Sequence, residues 1–300
     1  MGIEAVPLKG SQIGAEVKGV DIDNLDGECK RQLHKLFLEY GVLVIRNTPV
    51  NPAQHIDLTR SFGNTELHPV KNLRLDDYPE LILLESGDDV NEKDGKMPDD
   101  IVGKIPWHAD LTYTTMLSRG AVLTAKVIPP EGGETGFVDT VAVYNDLPDS
   151  IKTIIDKLEI VHQFDHADSV KEARIREASN PTLKPMPIFP DIAHPLVIRH
   201  PESGYKALNI SPMFTREIIG LDAAEGHSLL MELKKIATSS KYSYVHHWKQ
   251  NDLVMWDNWR TLHSAFGHKR KYRREVMRTT IEATVTFGRE INGQKSVATF

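Results

Sequence analysis

The chain has 300 residues, 40% of them hydrophobic and 26% charged, and a formal net charge of −6, the profile of an ordinary globular protein rather than a general nucleic-acid binder, which needs a basic surface. A single cysteine, Cys29, excludes an internal disulfide and suits a reducing compartment. The opening residues carry no basic-then-apolar leader and no apolar run approaches bilayer length, so a cytoplasmic protein with no membrane partner is expected.

Residues 27–40 place Leu33, Leu36, Phe37 and Tyr40 at helical spacing and lead through Gly41 into the strand-like Val42-Leu43-Val44-Ile45. A second helix is expected over 52–62, with Pro52 in its first turn and Gly63 as its stop. Short apolar runs at 81–84, 120–123, 195–198 and 253–256 are bounded by Gly, Pro or Asp, as strands are. Helical stretches are expected near 147–158 and 222–238. Many short strands with few helices predict a mainly β fold with flanking helices and a sandwich or jelly-roll core. No repeat or low-complexity linker divides the sequence, so residues 1–300 are expected to form one domain. Two excursions interrupt it, near 85–104 and 165–195, and both are expected as lid loops. The first is polar and acidic and directly precedes the strongest chemical motif; the second carries five prolines between 179 and 195.

That motif is Trp107-His108-Ala109-Asp110. On an extended strand, residues i and i+2 share a face, so His108 and Asp110 can reach one metal ion. A third ligand should come from a neighbouring strand, and His263, after the apolar run 253–256, is the best placed. Two histidines and one carboxylate make the facial triad that holds iron(II) and leaves positions open for a chelating 2-oxo acid and O2. Zinc would also accept this set. With 13 histidines in the chain, a lone His-x-Asp is more often a turn or strand without metal, so its weight comes from its surroundings.

Downstream of His263 lies a basic segment, and the strand after it alternates Val276, Arg278 and Thr280 against Met277, Thr279 and Ile281. If the second set packs into the core, Arg278 points into the barrel, where a buried cation needs a carboxylate partner. A dicarboxylic cosubstrate would supply one by bidentate hydrogen bonding. The alternative is an outward, solvated arginine, as most of 269–274 should be. Thr135, after the turn Glu131-Gly132-Gly133-Glu134, could donate a hydroxyl to the same carboxylate, although threonine is common in strands for packing reasons alone.

Taken together these residues resemble the taurine dioxygenase family, which includes the phenoxyalkanoate herbicide dioxygenases. The resemblance rests on the ordered set Trp107-His108-Ala109-Asp110, Gly132-Gly133-Glu134-Thr135, Trp256-Asp257-Asn258, His263 and Arg278. In it Thr135 lies 25 residues after Asp110, and Arg278 lies 15 after His263. Segments 14–21 and 194–201 match as well, so the likeness runs from about residue 8 to 285. It implies a double-stranded β-helix (jelly-roll) core, iron(II) held by His108, Asp110 and His263, and 2-oxoglutarate as cosubstrate. It further implies that Thr135 and Arg278 hold the cosubstrate's distal carboxylate, with Arg274 as a second arginine nearby. The implied reaction is oxidation of a small substrate (hydroxylation, with desaturation or bond cleavage as variants) with release of succinate and CO2.

The family's His-Pro pair after the second helix is matched by His68-Pro69, which makes His68 a candidate contact for an anionic head group. Three residues later the taurine enzymes have an aromatic residue where this chain has Lys71, and Lys104 replaces a polar amide. Two lysines and a histidine favour a carboxylate, sulfonate or phosphate on the substrate, unless both lysines are simply solvated. Loose alignment adds Leu111 and Phe214 as an apolar wall. Two rivals remain at this point: a zinc hydrolase using the same three ligands, and a catalytically silent jelly-roll binding protein. Relatives commonly form dimers or tetramers, so a homo-oligomer is expected, with a small molecule and O2 as the other partners.

Overall fold

The structure, a computed structural model, describes residues 2–68, 73–87, 100–180 and 185–291. In chain order the first half runs β1 (Glu4–Pro7), β2 (Ala15–Lys18), α1 (Gly27–Tyr40), β3 (Val42–Ile45), α2 (Pro52–Thr59), β4 (Thr65–Glu66), β5 (Leu81–Ser86), β6 (Ile101–His108), β7 (Gly120–Val127) and β8 (Thr135–Asp139). Then come α3 (Thr140–Asp146), α4 (Asp149–Ile155), β9 (Glu159–His162), α5 (Asp168–Ser179), β10 (Ile192–Pro195), β11 (Val197–Arg199), β12 (Lys206–Leu208) and β13 (Thr215–Ile219). The chain closes with α6 (Ala223–Ala237), β14 (Ser243–His246), β15 (Leu253–Asp257), β16 (Thr261–Lys269), β17 (Arg274–Ile281) and β18 (Arg289–Glu290). The protein is mainly β with flanking helices. Among the described residues no helix is long and apolar enough to cross a membrane.

Two sheets position the site. The larger has the order β1-β2-β3-β15-β7-β17-β4, with β5 also pairing β17; the smaller has the order β14-β8-β16-β6. Val42, Val44, Leu123, Val254, Trp256 and Val276 of the large sheet pack with Phe137 of the small one, so the two sheets meet face to face. The alternate residues Leu43, Ile45, Val122, Leu253, Met255 and Met277 pack instead against Leu33 and Phe37 of α1 and Ile56 and Leu58 of α2. Burial on both faces explains why these strands read as unbroken apolar runs. Behind the small sheet, Val138 and Leu262 join Leu230 and Leu233 of α6 in a third cluster.

Helix ends follow from local chemistry. Asp26 caps α1 by accepting from the Cys29 N–H at 2.8 Å, and Gly41, at φ +70°, ends it with its own N–H on the Phe37 carbonyl. Asn51 and Gln54 form a reciprocal capping box at α2. That helix stops at Thr59 rather than 62 because Ser61 and Phe62 bond back only three residues, tightening the last turn. The helix expected near 147–158 is the shorter α4, and α3 precedes that window; Pro148 separates the two, since the residue before a proline avoids helical geometry. The strand expected over 195–198 is broken at Leu196, whose N–H leaves the pairing to bond the Leu158 carbonyl.

Regular structure enters both segments expected as lid loops. β5 extends to Ser86 and β6 begins at Ile101, while 88–99 lies outside the described residues. Within 165–195, residues 168–179 form α5 and 192–195 form β10, while 181–184 lies outside the described residues.

Candidate active site

His108 ends β6 and His263 lies directly opposite it on β16, which brings the two rings to 4.1 Å between centroids. The Nδ1 of His108 lies 2.8 Å from the Pro106 carbonyl. A carbonyl can only accept, so Nδ1 carries the proton and the Nε2 lone pair is free. His263 is packed between Trp256 and Phe137. Burial, then the neighbouring His108 ring, holds its pKa well below the usual imidazole value, so its ring stays neutral.

Asp110 completes the group, but not from a strand as the sequence pattern suggested. β6 stops at His108, and Asp110 sits in the turn that follows. Ser211 Oγ accepts the Ala109 N–H at 3.1 Å. The Asn258 side chain clamps Asp110 from the end of β15: Oδ1 accepts the Asp110 N–H at 2.8 Å and Nδ2 donates to the Asp110 carbonyl at 3.0 Å. Leu111 then takes the left-handed conformation at φ +58°, a strained geometry for a non-glycine residue that the surrounding bonds must hold. The outcome is that Asp110 Oδ1 lies 3.7 Å from His108 Nε2 and Oδ2 lies 3.7 Å from His263 Nε2. One ligand atom from each of the three falls within 4.8 Å of the others, a set that can hold one metal ion. Burial pushes the Asp110 carboxyl up, but Arg278 and the two histidines overcome it and hold the group well below the carboxylate range.

The Asn258 amide is itself held by Ser118, and the residue before it, Asp257, sits in a buried charge cluster. His200 Nδ1 accepts the backbone N–H of Glu202 and of Ser203, so its Nε2–H must be the donor to Asp257 Oδ2 at 2.9 Å. Arg119 pairs with the other Asp257 oxygen and with Glu202 at 2.7 Å. Neither Arg119 nor His200 was evident as a site-supporting residue from sequence. Removing the clamp by Asn258→Ala is expected to weaken metal affinity about 10- to 100-fold, measured by calorimetric titration with Mn(II) or Co(II). An unchanged affinity would show that the turn stands without the amide.

A deep cavity of about 230 Å³ lies between the sheets beside the triad, lined among others by His108, Thr135, Trp256, His263, Arg274 and Arg278. Gly132 and Gly133, at φ +76° and +81°, make the turn that delivers Thr135; a Cβ on Gly132 would meet the Gly267 carbonyl at 2.9 Å. Thr135 Oγ1 accepts from Trp248 Nε1 at 2.9 Å, so its own proton remains available to donate. Arg274 makes no hydrogen bond or ion pair among the described residues, and its Nε is buried. Burial alone pulls its pKa down to about 10, which leaves it a cation at neutral pH. The Nε of Arg278, Nε1 of Trp256 and Nδ1 of His263 are likewise buried without a partner among the described residues. The cavity lining carries two arginines, Arg274 and Arg278, against one carboxylate, Glu85, which already accepts from Arg273. Arg278 projects inward as the alternation predicted, and its Nη2 donates to Asp110 Oδ2 at 2.5 Å.

A second, outer cavity of about 110 Å³ abuts Asp110 and Arg278 and is also lined by Glu66, His68, Leu111, Tyr113 and Thr280. His68 and Leu111 thus line a cavity beside Asp110 and Arg278. Phe214 stands behind, edge-on to His108 at 6.2 Å and to Tyr113 at 4.9 Å, in a cluster with Phe164 and Phe189. Burial, then the nearby Asp110, pushes the Tyr113 phenol up to about 12, so it remains a neutral donor. Lys104 is exposed and lines neither cavity. Its neighbours Gly103 and Ile105 face the deep cavity, and strand alternation turns Lys104 away. Lys71 lies outside the described residues. Sequence reasoning missed Glu66 and Tyr113, although both are within three residues of singled-out positions.

A family model described as "Taurine catabolism dioxygenase TauD, TfdA family" matches residues 4–280. The chain is 34% identical over 260 residues to an (S)-phenoxypropionate/alpha-ketoglutarate-dioxygenase of Sphingobium herbicidovorans, covering 84% of this chain and 85% of that one. It superposes with a TM-score of 0.78 and 27% identity on a putative alpha-ketoglutarate-dependent taurine dioxygenase from Burkholderia xenovorans, over 98% of this chain and 96% of that one. AAD-2 in complex with Mn(II) and N-oxalylglycine matches at a TM-score of 0.74 and 25% identity, over 96% of this chain and 100% of that one.

Proposed function

The chain belongs to the taurine catabolism dioxygenase TauD, TfdA family and is a 2-oxoglutarate-dependent dioxygenase, and on that premise we propose that His108, Asp110 and His263 hold its iron(II) while the deep cavity takes the cosubstrate. The donor set suits the ion: two neutral imidazoles and one carboxylate converge with room beside them. When bound, the metal and 2-oxoglutarate activate O2 to oxidise a C–H bond, and the cosubstrate leaves as succinate and CO2. The protein's own contributions are positional. Pro106 orients His108, and Asn258 fixes the Asp110 turn. Arg274 and Thr135 receive the distal carboxylate, and Arg278 reaches across the boundary between the two cavities.

The observation that carries this reading is the pair of arginines in the deep cavity's lining, set against a single carboxylate that is already paired with Arg273. A half-buried Arg274 with a shielded Nε and no acid partner among the described residues is costly unless a ligand supplies the carboxylate. A dianion with an oxygen-rich metal-chelating end satisfies that need, whereas a zinc hydrolase or a silent binding protein leaves it unexplained. The outer cavity takes the primary substrate, a small organic anion attracted by His68 and Arg278 and bounded by Leu111, Tyr113 and Phe214. The phenoxypropionate named for the Sphingobium relative is such an anion. The two facing sheets then form the double-stranded β-helix core of one catalytic domain over 1–300, with the segments near 85–104 and 165–195 as lids. We place the enzyme in the cytoplasm as a dimer or tetramer.

Anaerobic addition of 2-oxoglutarate to the iron(II)-loaded protein tests the reading. A weak visible charge-transfer band is expected for bidentate chelation at the metal, and its absence at full iron and cosubstrate occupancy would contradict the assignment.

A further inference from the structure

Beyond Asp110 and Leu111 the chain is anchored a second time. His194 of β10 is fully buried, with its Nε2 2.9 Å from the Thr112 carbonyl. A carbonyl can only accept, so Nε2 carries the proton and donates. Burial pulls the ring's pKa down to about 4, which keeps it neutral. Its Nδ1 is then a buried lone pair, without a partner among the described residues. The ring is closely confined: a Cβ on Gly288 would stand 2.7 Å from Nδ1 and 2.6 Å from Cε1. The segment around Gly288 reaches the same loop directly. The N–H groups of Phe287 and Gly288 both donate to the Thr115 carbonyl at 3.0 Å, and β18 then pairs with β10, Arg289 opposite Ala193. His162 of β9, a second fully buried histidine, lies edge-on to His194 at 5.4 Å between centroids. Neither of its ring nitrogens has a hydrogen-bond partner among the described residues.

We propose that His194 is a positioning residue for the metal carboxylate, holding the far side of the Asp110–Leu111 turn through its hydrogen bond to the Thr112 carbonyl. The inference rests on reading His108, Asp110 and His263 as the metal ligands. Leu111 keeps a left-handed backbone at φ +58°, and such a conformation persists only where the surrounding structure over-determines it. Asn258 holds the Asp110 side of that residue, and His194 holds the Thr112 side. Release of the second anchor lets Leu111 relax and carries the Asp110 carboxylate away from the two imidazoles.

Calorimetric titration of the full-length, metal-free protein with Mn(II) tests it. His194→Leu is expected to weaken the affinity about tenfold, the lower end of the range for residues that orient a metal ligand. His194→Gln, whose amide N–H can still donate to the Thr112 carbonyl, is expected to recover most of that loss. His162→Leu removes an equally buried histidine that makes no such bond, and it is expected to leave the affinity unchanged. Misfolded protein lowers the binding stoichiometry but not the affinity of the folded remainder, so a merely structural role does not imitate the result. An affinity unchanged in His194→Leu, a His194→Gln as weak as His194→Leu, or a His162→Leu as weak as His194→Leu overturns the inference. His263→Ala keeps the two readings apart. If it abolishes Mn(II) binding while His194→Leu changes nothing, only the role of His194 falls. If it leaves Mn(II) binding intact, the triad falls and takes the inference with it.

Discussion

His263→Ala is expected to lower succinate formation by more than about 100-fold, beyond the 10- to 100-fold typical of residues that merely orient a metal ligand. The size follows from geometry. His263 faces His108 across the β6–β16 pair, and its Nε2 is one of three ligand atoms within 4.8 Å of one another. With the ring gone, His108 and Asp110 remain as two ligands on adjoining segments, too few to fix the ion against the cosubstrate. The loss should appear equally in direct metal titration, which separates it from a defect in catalysis alone. His247, whose side chain is 78% exposed, is the control: His247→Ala should leave activity unchanged. Metal binding retained in His263→Ala would mean that the ion sits elsewhere.

Arg274→Met is expected to raise the KM for 2-oxoglutarate at least about 30-fold, since truncating one partner of a buried charge pair costs about 2–5 kcal/mol. The same substitution should leave the melting temperature of the ligand-free protein unchanged or higher. In that state Arg274 has no acid partner among the described residues and burial opposes its charge, and replacing such a cation with an apolar side chain of similar volume relieves the desolvation. Arg274→Lys should fall between, keeping the charge but losing the planar fork. A lower melting temperature with an unchanged KM would make Arg274 a structural residue and leave the cosubstrate to Arg278.

The grouping of His108, Asp110 and His263 was legible because the ordered residues around His-x-Asp gave it weight, and because a strand partner for His108 could be sought after the apolar run 253–256. The geometry of Asp110 was not. Its turn depends on Asn258, Ser211 and the strained Leu111, which meet only in space. Alternation along β17 correctly turned Arg278 inward, and the same count puts Arg274 on that face, but the cluster of surface lysines and arginines around it hid the signal. Lys104 shows the reverse error, since position in the chain near a motif says nothing of which face a strand residue takes. Apolar spacing made α1 readable and Pro52 marked the start of α2, while their caps, Asp26 and Asn51, went unread. Helix α3, rich in β-branched residues, gave no periodic signal, and only its Asp139 cap, which accepts from the Val141 N–H, marks it. The aromatic group of Tyr113, Phe164, Phe189 and Phe214 is assembled from four separate segments, which no local pattern reveals.

The most direct test of the account is succinate formation from 2-oxoglutarate with iron(II) and ascorbate, measured across a panel of small organic acids for wild type beside His108→Ala. The account predicts succinate that rises with at least one anionic substrate and is lost in the variant. No succinate from wild type at full iron and cosubstrate occupancy, even without coupling to a substrate, would contradict it.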